Sequence, residues 1–185
     1  MSDGVRVEEK PVRAFIGLGS NLGDSKGTLQ ESWEALGEVE GITLDGLSSP
    51  YMTAPVGMTS NHWFTNAVGR LQVSLSPIEL LKDLLVIEAS FGRSRKDRSF
   101  GYQDRSLDLD LLYYGDVTMD QPELILPHPR IAERLFVLVP LLELEPGFFD
   151  EFRGESIMTM EKRLREDFAA TSNKEQEIVR SSWDE

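Results

Sequence analysis

Leu107-Asp108-Leu109-Asp110-Leu111-Leu112 alternates apolar and acidic side chains. In a β-strand, residues two apart project from one face, roughly 7 Å apart along the chain. The run therefore demands a sheet with Leu107, Leu109 and Leu111 turned into a core. Asp108 and Asp110 must share the opposite face. Aspartate is disfavoured in strands, and like charges on one face repel. A face that is merely wet more often carries Thr, Lys or Glu. Such a local conflict is the mark of a functional site. Paired carboxylates suit Mg²⁺, a hard cation that takes oxygen ligands and shares them with substrate phosphates.

The residues just before this run strengthen that reading. The formal net charge is −13, which argues against a nucleic-acid partner. Between Gly92 and Arg105, however, Arg93, Arg95, Lys96, Arg98 and Arg105 outnumber Asp97 and Asp104. Guanidinium groups grip phosphate oxygens bidentately, and binding residues gather on loops held by rigid elements. Carboxylates beside arginines point to phosphoryl transfer. The chain has no cysteine, so neither a disulfide framework nor thiol chemistry is available. The first residues lack the apolar core of a signal peptide, and the apolar stretch at Phe136–Leu142 is short and broken by Pro140. No membrane partner and a cytoplasmic location are expected. At 185 residues, one domain with a sizeable core is expected. A monomer is expected rather than an oligomer.

Periodicity divides the chain into a loose leader over 1–11, a single catalytic domain over 12–149 and a charged tail over 150–185, partly helical or disordered. Val12–Leu18 reads as a strand, followed by a glycine-rich turn over Gly17–Gly23. Leu29, Trp33 and Leu36 then follow helical spacing. Ile42–Ser48 reads as a second strand, 49–61 as loop and Thr65–Leu75 as a third strand. Ser76-Pro77-Ile78-Glu79 combines an N-cap, a first-position proline and a capping-box glutamate. The helix it starts should run to about Phe91, with Ile78, Leu81, Leu84 and Leu85 facing the core. Glu88 falls on that same face, either at the core's edge or in a site. Beyond the aspartate strand, Val117–Leu126 suits a short strand pair. Pro127-His128-Pro129 suits an extended corner, Arg130–Phe136 a short helix, and Val137–Leu144 a return to the core. In the tail, Met158, Leu164 and Phe168 could line one surface helix. The order strand–helix–strand–strand–helix–strand predicts an α+β domain with a ferredoxin-like βαββαβ core. It is an antiparallel sheet with helices packed on one face, plus the charged C-terminal extension.

The glycine turn, G-x-G-x-x-x-G, misses the dinucleotide fingerprint by one residue, and no P-loop Lys-Ser/Thr is present. It reads equally as a tight turn or a ligand contact, with Asn21 the member most able to bind. His128 is either structural or part of a site. No Ser-His-Asp arrangement is visible, two histidines without cysteine cannot build a common zinc site, and no general base is evident.

Six blocks, in order, carry a resemblance. They are Phe15–Gly23 (FIGLGSNLG), Tyr51–Gly57 (YMTAPVG), Phe64–Ala67 (FTNA), Ile87–Arg95, Arg105–Asp110 (RSLDLD) and Leu126–Leu141 (LPHPR to RLFVLVPL). Together they resemble 6-hydroxymethyl-7,8-dihydropterin pyrophosphokinase, over about residues 13–146. The resemblance implies transfer of the diphosphoryl unit of ATP to the hydroxymethyl oxygen of the pterin, releasing AMP, in folate biosynthesis. It implies two Mg²⁺ ions held by Asp108 and Asp110. Arg93, Arg95 and Arg105 complete the implied catalytic set with these aspartates. Glu88, Arg95, Arg98, Arg105 and His128 are implied for ATP. Thr53, Pro55, Phe64, Asn66, Phe100, Arg134 and Phe136 are implied for the pterin. The chain departs from the family in one place. Where the family reads Gly-Pro-Arg, Gly101 is followed by Tyr102-Gln103-Asp104-Arg105, longer and without proline.

Two other readings fit the same acidic strand. One is a different Mg²⁺-dependent nucleotidyl transferase or cyclase, lacking a planar aromatic pocket. The other is a non-catalytic module that senses a nucleotide and releases no AMP. The glycine and proline content of segments 49–61 and 92–105 suggests lids that close over substrates. Proteolysis between Arg93 and Arg98 should therefore slow when a non-hydrolysable ATP analogue and the pterin are both present. Cutting at an unchanged rate would count against closure.

Overall fold

The computed structural model describes residues 10–54, 63–92, 106–171 and 177–184. The first half holds β1 (Val12–Ser20), α1 (Ser25–Gly37), β2 (Ile42–Leu47), β3 (Tyr51–Thr53), β4 (Phe64–Val73) and α2 (Pro77–Ser90). The second holds β5 (Asp108–Tyr114), β6 (Met119–Asp120), β7 (Ile125–Leu126), α3 (Leu135–Leu144), β8 (Phe149–Asp150), β9 (Glu155–Ser156), α4 (Ile157–Thr171) and β10 (Ile178–Arg180). Local chemistry explains the helix starts. Asp24 caps α1 by accepting from Gly27 N–H at 3.0 Å. At α2, Ser76 and Glu79 form the reciprocal capping box, with Pro77 at the first position. Gly92, at φ +85°, follows the end of α2 in the left-handed region that helix ends favour.

The main sheet is antiparallel in every described pairing, in the order β10–β3–β4–β1–β5. β2 and β3 lie end to end along the same edge of β4, because β2 pairs with Gly69–Val73 and β3 with Phe64–Asn66. Each strand alternates between two apolar faces. On the first face, Ile16, Leu71, Leu109 and Leu111 meet Leu29 and Leu36 of α1 and Leu80, Leu84 and Ile87 of α2. On the second, Phe15, Val68, Leu112 and Tyr113 meet Val137, Leu138 and Leu141 of α3 and Ile157 and Met160 of α4. One irregularity serves this arrangement. Phe15 pairs with Tyr113 and Ile16 with Leu111, so Leu112 is an extra residue that bulges and turns both Leu112 and Tyr113 to the second face.

Several expectations needed correction. Helices cover both faces of the sheet rather than one, because the second face is apolar at one end. The 49–61 stretch, read as loop, contains β3. Leu80 and Ile87 are buried in the α2 stripe, while Leu81 and Leu85 are only half-buried. The helix expected over Arg130–Phe136 is a 3-10 turn at Ile131–Glu133, and α3 instead spans Leu135–Leu144 through Pro140. The strand pair expected in Val117–Leu126 is present as β6 and β7. In α4 the buried positions are Ile157 and Met160, whereas Met158 is exposed. Ile178–Arg180 pair with β3 as a strand, in a stretch whose charge and sparse apolar residues predict disorder.

Gly69, in mid-β4, lies under the indole of Trp33 from α1, and a Cβ there would overlap the ring. Gly69→Ala should therefore destabilise the protein by about 2 kcal/mol through overpacking, read as a lowered urea midpoint with an unchanged slope.

Candidate functional site

β5 builds the site because, among the described residues, only one of its edges meets another strand. On that edge, Gly19 pairs with Asp108 and Gly17 with Asp110. On the other edge, Leu109 N–H would lack a ladder acceptor, and the buried Glu88 of α2 accepts it through Oε1 at 2.7 Å. Glu88 thus fixes β5 against α2, and a carboxylate this deep is tolerable because it is hydrogen-bonded. Leu107, Leu109 and Leu111 are buried on the α1–α2 side. Asp108 and Asp110 emerge together on the other face, both half-buried.

The facing glycines decide how open that face is. A Cβ at Gly17 would stand 3.8 Å from Asp110 Cβ, and one at Gly19 would stand 4.0 Å from Asp108 Cβ and 3.2 Å from Asn66 Oδ1. Side chains on these two residues would fill the space beside the carboxylates. Gly17 and Gly19 therefore belong to β1 and not to the turn, and they serve by being absent from the face. The sequence pattern alone had read this stretch as a turn or a ligand contact. A single rung of the sheet joins Tyr51, Asn66, Gly19 and Asp108. Asn66 and Asp108 are two strands apart, so their backbones lie about 10 Å from each other.

Around the rung, Asn66 Nδ2 donates to Thr53 Oγ1 at 2.9 Å, and both residues are buried. Phe64, two residues before Asn66 on β4, is half-buried on the same sheet face. From the start of α3, Arg134 Nη1 donates to Asp110 Oδ2 at 3.0 Å, with its guanidinium 5.5 Å from the centre of the half-buried Phe136 ring. Arg134 was expected at the pterin rim. The structure shows it in contact with Asp110, a link that spacing in the sequence could not reveal.

A cleft of about 320 Å³ opens on the other side of the aspartates. Leu81 and Leu85 of α2 and Leu124 and Ile125 of the β6–β7 hairpin wall it, and Glu88, Asp108, Asp110 and His128 line it. Leu81 also packs against the α1–α2 core, as its helical spacing predicts, whereas Leu85 serves as cleft wall, because spacing cannot separate a core face from a cleft wall. His128 N–H donates to Leu112 O at 2.9 Å, and His128 Nδ1 accepts from Arg130 N–H at 3.2 Å. The neutral ring therefore carries its proton on Nε2. Burial holds the imidazole below its ordinary pKa; Asp110 and Asp108 oppose this, while Arg134 and Arg130 add to it. The corner is braced from behind, a feature the sequence gave no sign of. Arg153 Nη2 donates to His128 O and Pro129 O at 3.1 and 3.2 Å, and Arg153 Nη1 to buried Asp150 Oδ2 at 2.7 Å. Tyr113 O–H donates to the same Asp150 oxygen.

Among the described residues no three carboxylate or imidazole groups cluster as a closed metal cage. Two carboxylates on an open face fit Mg²⁺, which is held by one or two carboxylates plus substrate phosphates. Pro55, Arg93, Arg95, Arg98, Phe100 and Arg105 lie outside the described residues. The structure brings together Thr53, Phe64, Asn66, Glu88, Asp108, Asp110, His128, Arg134 and Phe136.

Replacing Glu88 by Ala should cost about 2 kcal/mol by orphaning the Leu109 N–H, and should loosen amide protection in β5. Glu88→Gln, which keeps an acceptor, should retain that protection in hydrogen exchange. Equal loss in both variants would rule out the anchoring role.

Comparison with known proteins is specific. The family model described as 7,8-dihydro-6-hydroxymethylpterin-pyrophosphokinase (HPPK) matches residues 15–146. A 2-amino-4-hydroxy-6-hydroxymethyldihydropteridine pyrophosphokinase of Synechocystis sp. is 41% identical over 147 residues, covering 80% of this chain and 73% of that protein. A Bacillus subtilis protein of the same name is 40% identical over 131 residues, covering 71% and 77%. Among solved structures, an HPPK-DHPS in complex with substrates superposes with a TM-score of 0.72 at 13% identity, over 93% of this chain. The wild-type HPPK-DHPS of Plasmodium falciparum gives 0.72 at 13% over 94%. This chain spans about half the length of those two structures, at 47% and 45%, and at such identity they bear on the fold alone. On the family match and the identity of these relatives, the chain belongs to the 7,8-dihydro-6-hydroxymethylpterin-pyrophosphokinase family.

Proposed function

We propose that the cleft beside β5 takes ATP, that the open face from Asn66 to Phe136 takes hydroxymethyldihydropterin, and that Asp108 and Asp110 mark where the two substrates meet. As an HPPK, the enzyme transfers the β,γ-diphosphoryl group of ATP to the pterin's hydroxymethyl oxygen, in folate biosynthesis. A bond forms between that oxygen and the β-phosphorus. The bond from the β-phosphorus to the bridging oxygen of the α-phosphate breaks, and AMP leaves. The observation that carries the reading is the shared rung, which sets the acidic pair between an aromatic, amide-lined face and an apolar-walled cleft.

Phosphoryl transfer asks a protein mostly for positioning and charge stabilisation. Leu81, Leu85, Leu124 and Ile125 offer an apolar slot suited to a base. His128 Nε2–H and the arginines of 93–105 offer donors to phosphate. Asn66, oriented by Thr53, offers amide hydrogen bonds to a pterin edge, while Phe64 and Phe136 offer ring faces for stacking. Arg134 steadies the Asp110 carboxylate. Asp108 and Asp110 would hold two Mg²⁺ ions, which when bound neutralise charge on the triphosphate. Pro55, Phe100 and the arginines Arg93, Arg95, Arg98 and Arg105 complete the site by resemblance.

The arrangement β1α1β2β4α2β5 supports a ferredoxin-like core over 12–149, preceded by a leader and followed by a charged extension over 150–185. A monomer working in the cytoplasm completes the proposal. No described helix is long and apolar enough to cross a membrane.

Incubation with ATP, Mg²⁺ and 6-hydroxymethyl-7,8-dihydropterin should release AMP in step with a pterin diphosphate. Asp108→Ala and Asp110→Ala should each lower turnover by at least about a hundredfold, the scale of losing a positioned electrostatic group, with circular dichroism unchanged. Near-normal turnover in either variant would remove the metal assignment. ATP binding without AMP would favour a sensor.

A further inference from the structure

β3, only three residues long, carries Thr53 and leads directly into the segment beginning at Pro55. Without β10 it would be the edge of the sheet. β10 pairs with it residue for residue, Ile178 with Thr53, Val179 with Met52 and Arg180 with Tyr51. Backbone bonds continue at both ends, from Ala54 N–H to Glu177 O at 3.4 Å and from Ser181 N–H to Pro50 O at 2.8 Å. Three side-chain ties fasten the segment elsewhere. Trp183 Nε1 donates to Ser48 O at 3.0 Å, and its ring packs on the α1–α2 core. Lys26 Nζ of α1 donates to Ser182 O at 2.8 Å. Arg180 reaches Ser49 Oγ at 2.8 Å and Glu143 Oε1 of α3 at 3.3 Å.

Glu143 is the hub of this side. It accepts from Ser49 N–H at 3.0 Å and from Ser49 Oγ at 2.9 Å through Oε1, and from Tyr51 O–H at 2.7 Å through Oε2. β3 and α3 are thereby tied at one point, and they are the two elements flanking the face between Thr53 and Phe136. Burial pushes the Tyr51 hydroxyl up to about 12, with the Glu143 hydrogen bond adding to the rise, so it remains a donor to that carboxylate. Arg180 extends the functional rung to Arg180–Tyr51–Asn66–Gly19–Asp108. β10 lies beyond the 15–146 span of the family match.

We propose that the C-terminal segment 177–184 is a clasp that positions the pterin side of the site, holding Thr53 and through it Asn66 by adding a second ladder to β3 and linking β3 to α3. The inference rests on the pterin reading given above. A short strand with one neighbour frays readily, and local opening of this kind is what weakens a preformed pocket. No clasp residue lines the cleft, so its loss should leave the ATP side as it was.

The ladder bonds at 54/177 and 50/181 place Val179 in a hydrogen-bonded position between them, and its side chain is exposed. Full-length Val179→Pro/Trp183→Ala removes one ladder donor and the indole anchor. Val179→Thr is the control and should behave as the parent. The double variant should raise KM for the pterin about tenfold or more while KM for ATP stays within twofold, and amides of Tyr51–Ala54 should exchange faster. Arg180→Ala should show a smaller pterin effect, rescued in part by Arg180→Lys. An unchanged pterin KM with faster exchange would overturn the proposal. So would unchanged exchange, because something other than β10 would then hold β3, or an equal rise in both KM values, which would mean general loosening. Thr53→Ala separates the two levels. If it raises pterin KM while the clasp variant does not, the clasp fails and the pocket stands. If neither variant raises pterin KM, the pocket reading and the clasp fall together.

Discussion

The pairing of β5 with β1 is the constraint on which the site depends. Among the described residues no strand lies beyond β5, so its outer amide must find a side-chain acceptor, and Glu88 of α2 supplies one. Held on both sides, the strand cannot slip by one residue. Such a slip would send Leu109 and Leu111 to water and the two aspartates into the α1–α2 core. The same register brings Gly17 and Gly19 opposite the acids. A face crowded with side chains would have left no room beside the carboxylates, and a different register would have set glycines opposite leucines. One set of backbone bonds therefore fixes the direction of the acids and the space in front of them.

The rest of the molecule divides along the two faces of the sheet. The α1–α2 face is closed by leucines along its length. The other face is closed only at one end, where α3 and α4 cover Phe15, Val68, Leu112 and Tyr113. The bulge at Leu112 lets one strand serve both needs, since it carries acids on the open end and apolar side chains on the covered end of the same face. Arg134 stands at the junction, at the start of α3, and joins the covered end to the open one through Asp110. At the corner, Arg153 and Asp150 brace the backbone of His128 from beyond the 15–146 stretch that the family model matches. Both the His128 corner and β3 thus owe part of their support to residues of the 150–185 stretch, where the sequence is highly charged and apolar residues are sparse.

Much of the site was legible in sequence because its signals are local. Alternation gave β5 its faces, Ser76-Pro77-Ile78-Glu79 gave the start of α2, and the quoted motifs named the residues of the rung. What failed was whatever depends on partners distant in the chain. Leu85 satisfies helical spacing as well as any core residue, yet it walls a cleft because the β6–β7 hairpin stands opposite it. Pro140 hid α3, although Val137, Leu138 and Leu141 have the right spacing. β3 was lost in a stretch rich in proline and small polar residues, because three residues carry too little pattern to be seen.

The sequence by itself determined that two carboxylates share one face of a strand, that arginines precede them, and which family the motifs resemble. These follow from the two-residue period of a strand and from the order of short motifs, both properties of neighbours along the chain. Only the tertiary structure decided that glycines clear the space before the acids, that Glu88 ties β5 to α2, that Arg134 meets Asp110, and that the C-terminal strand backs Thr53. Each of these joins residues far apart in sequence, and such pairings arise only when the sheet's register and the packing of its helices are settled together.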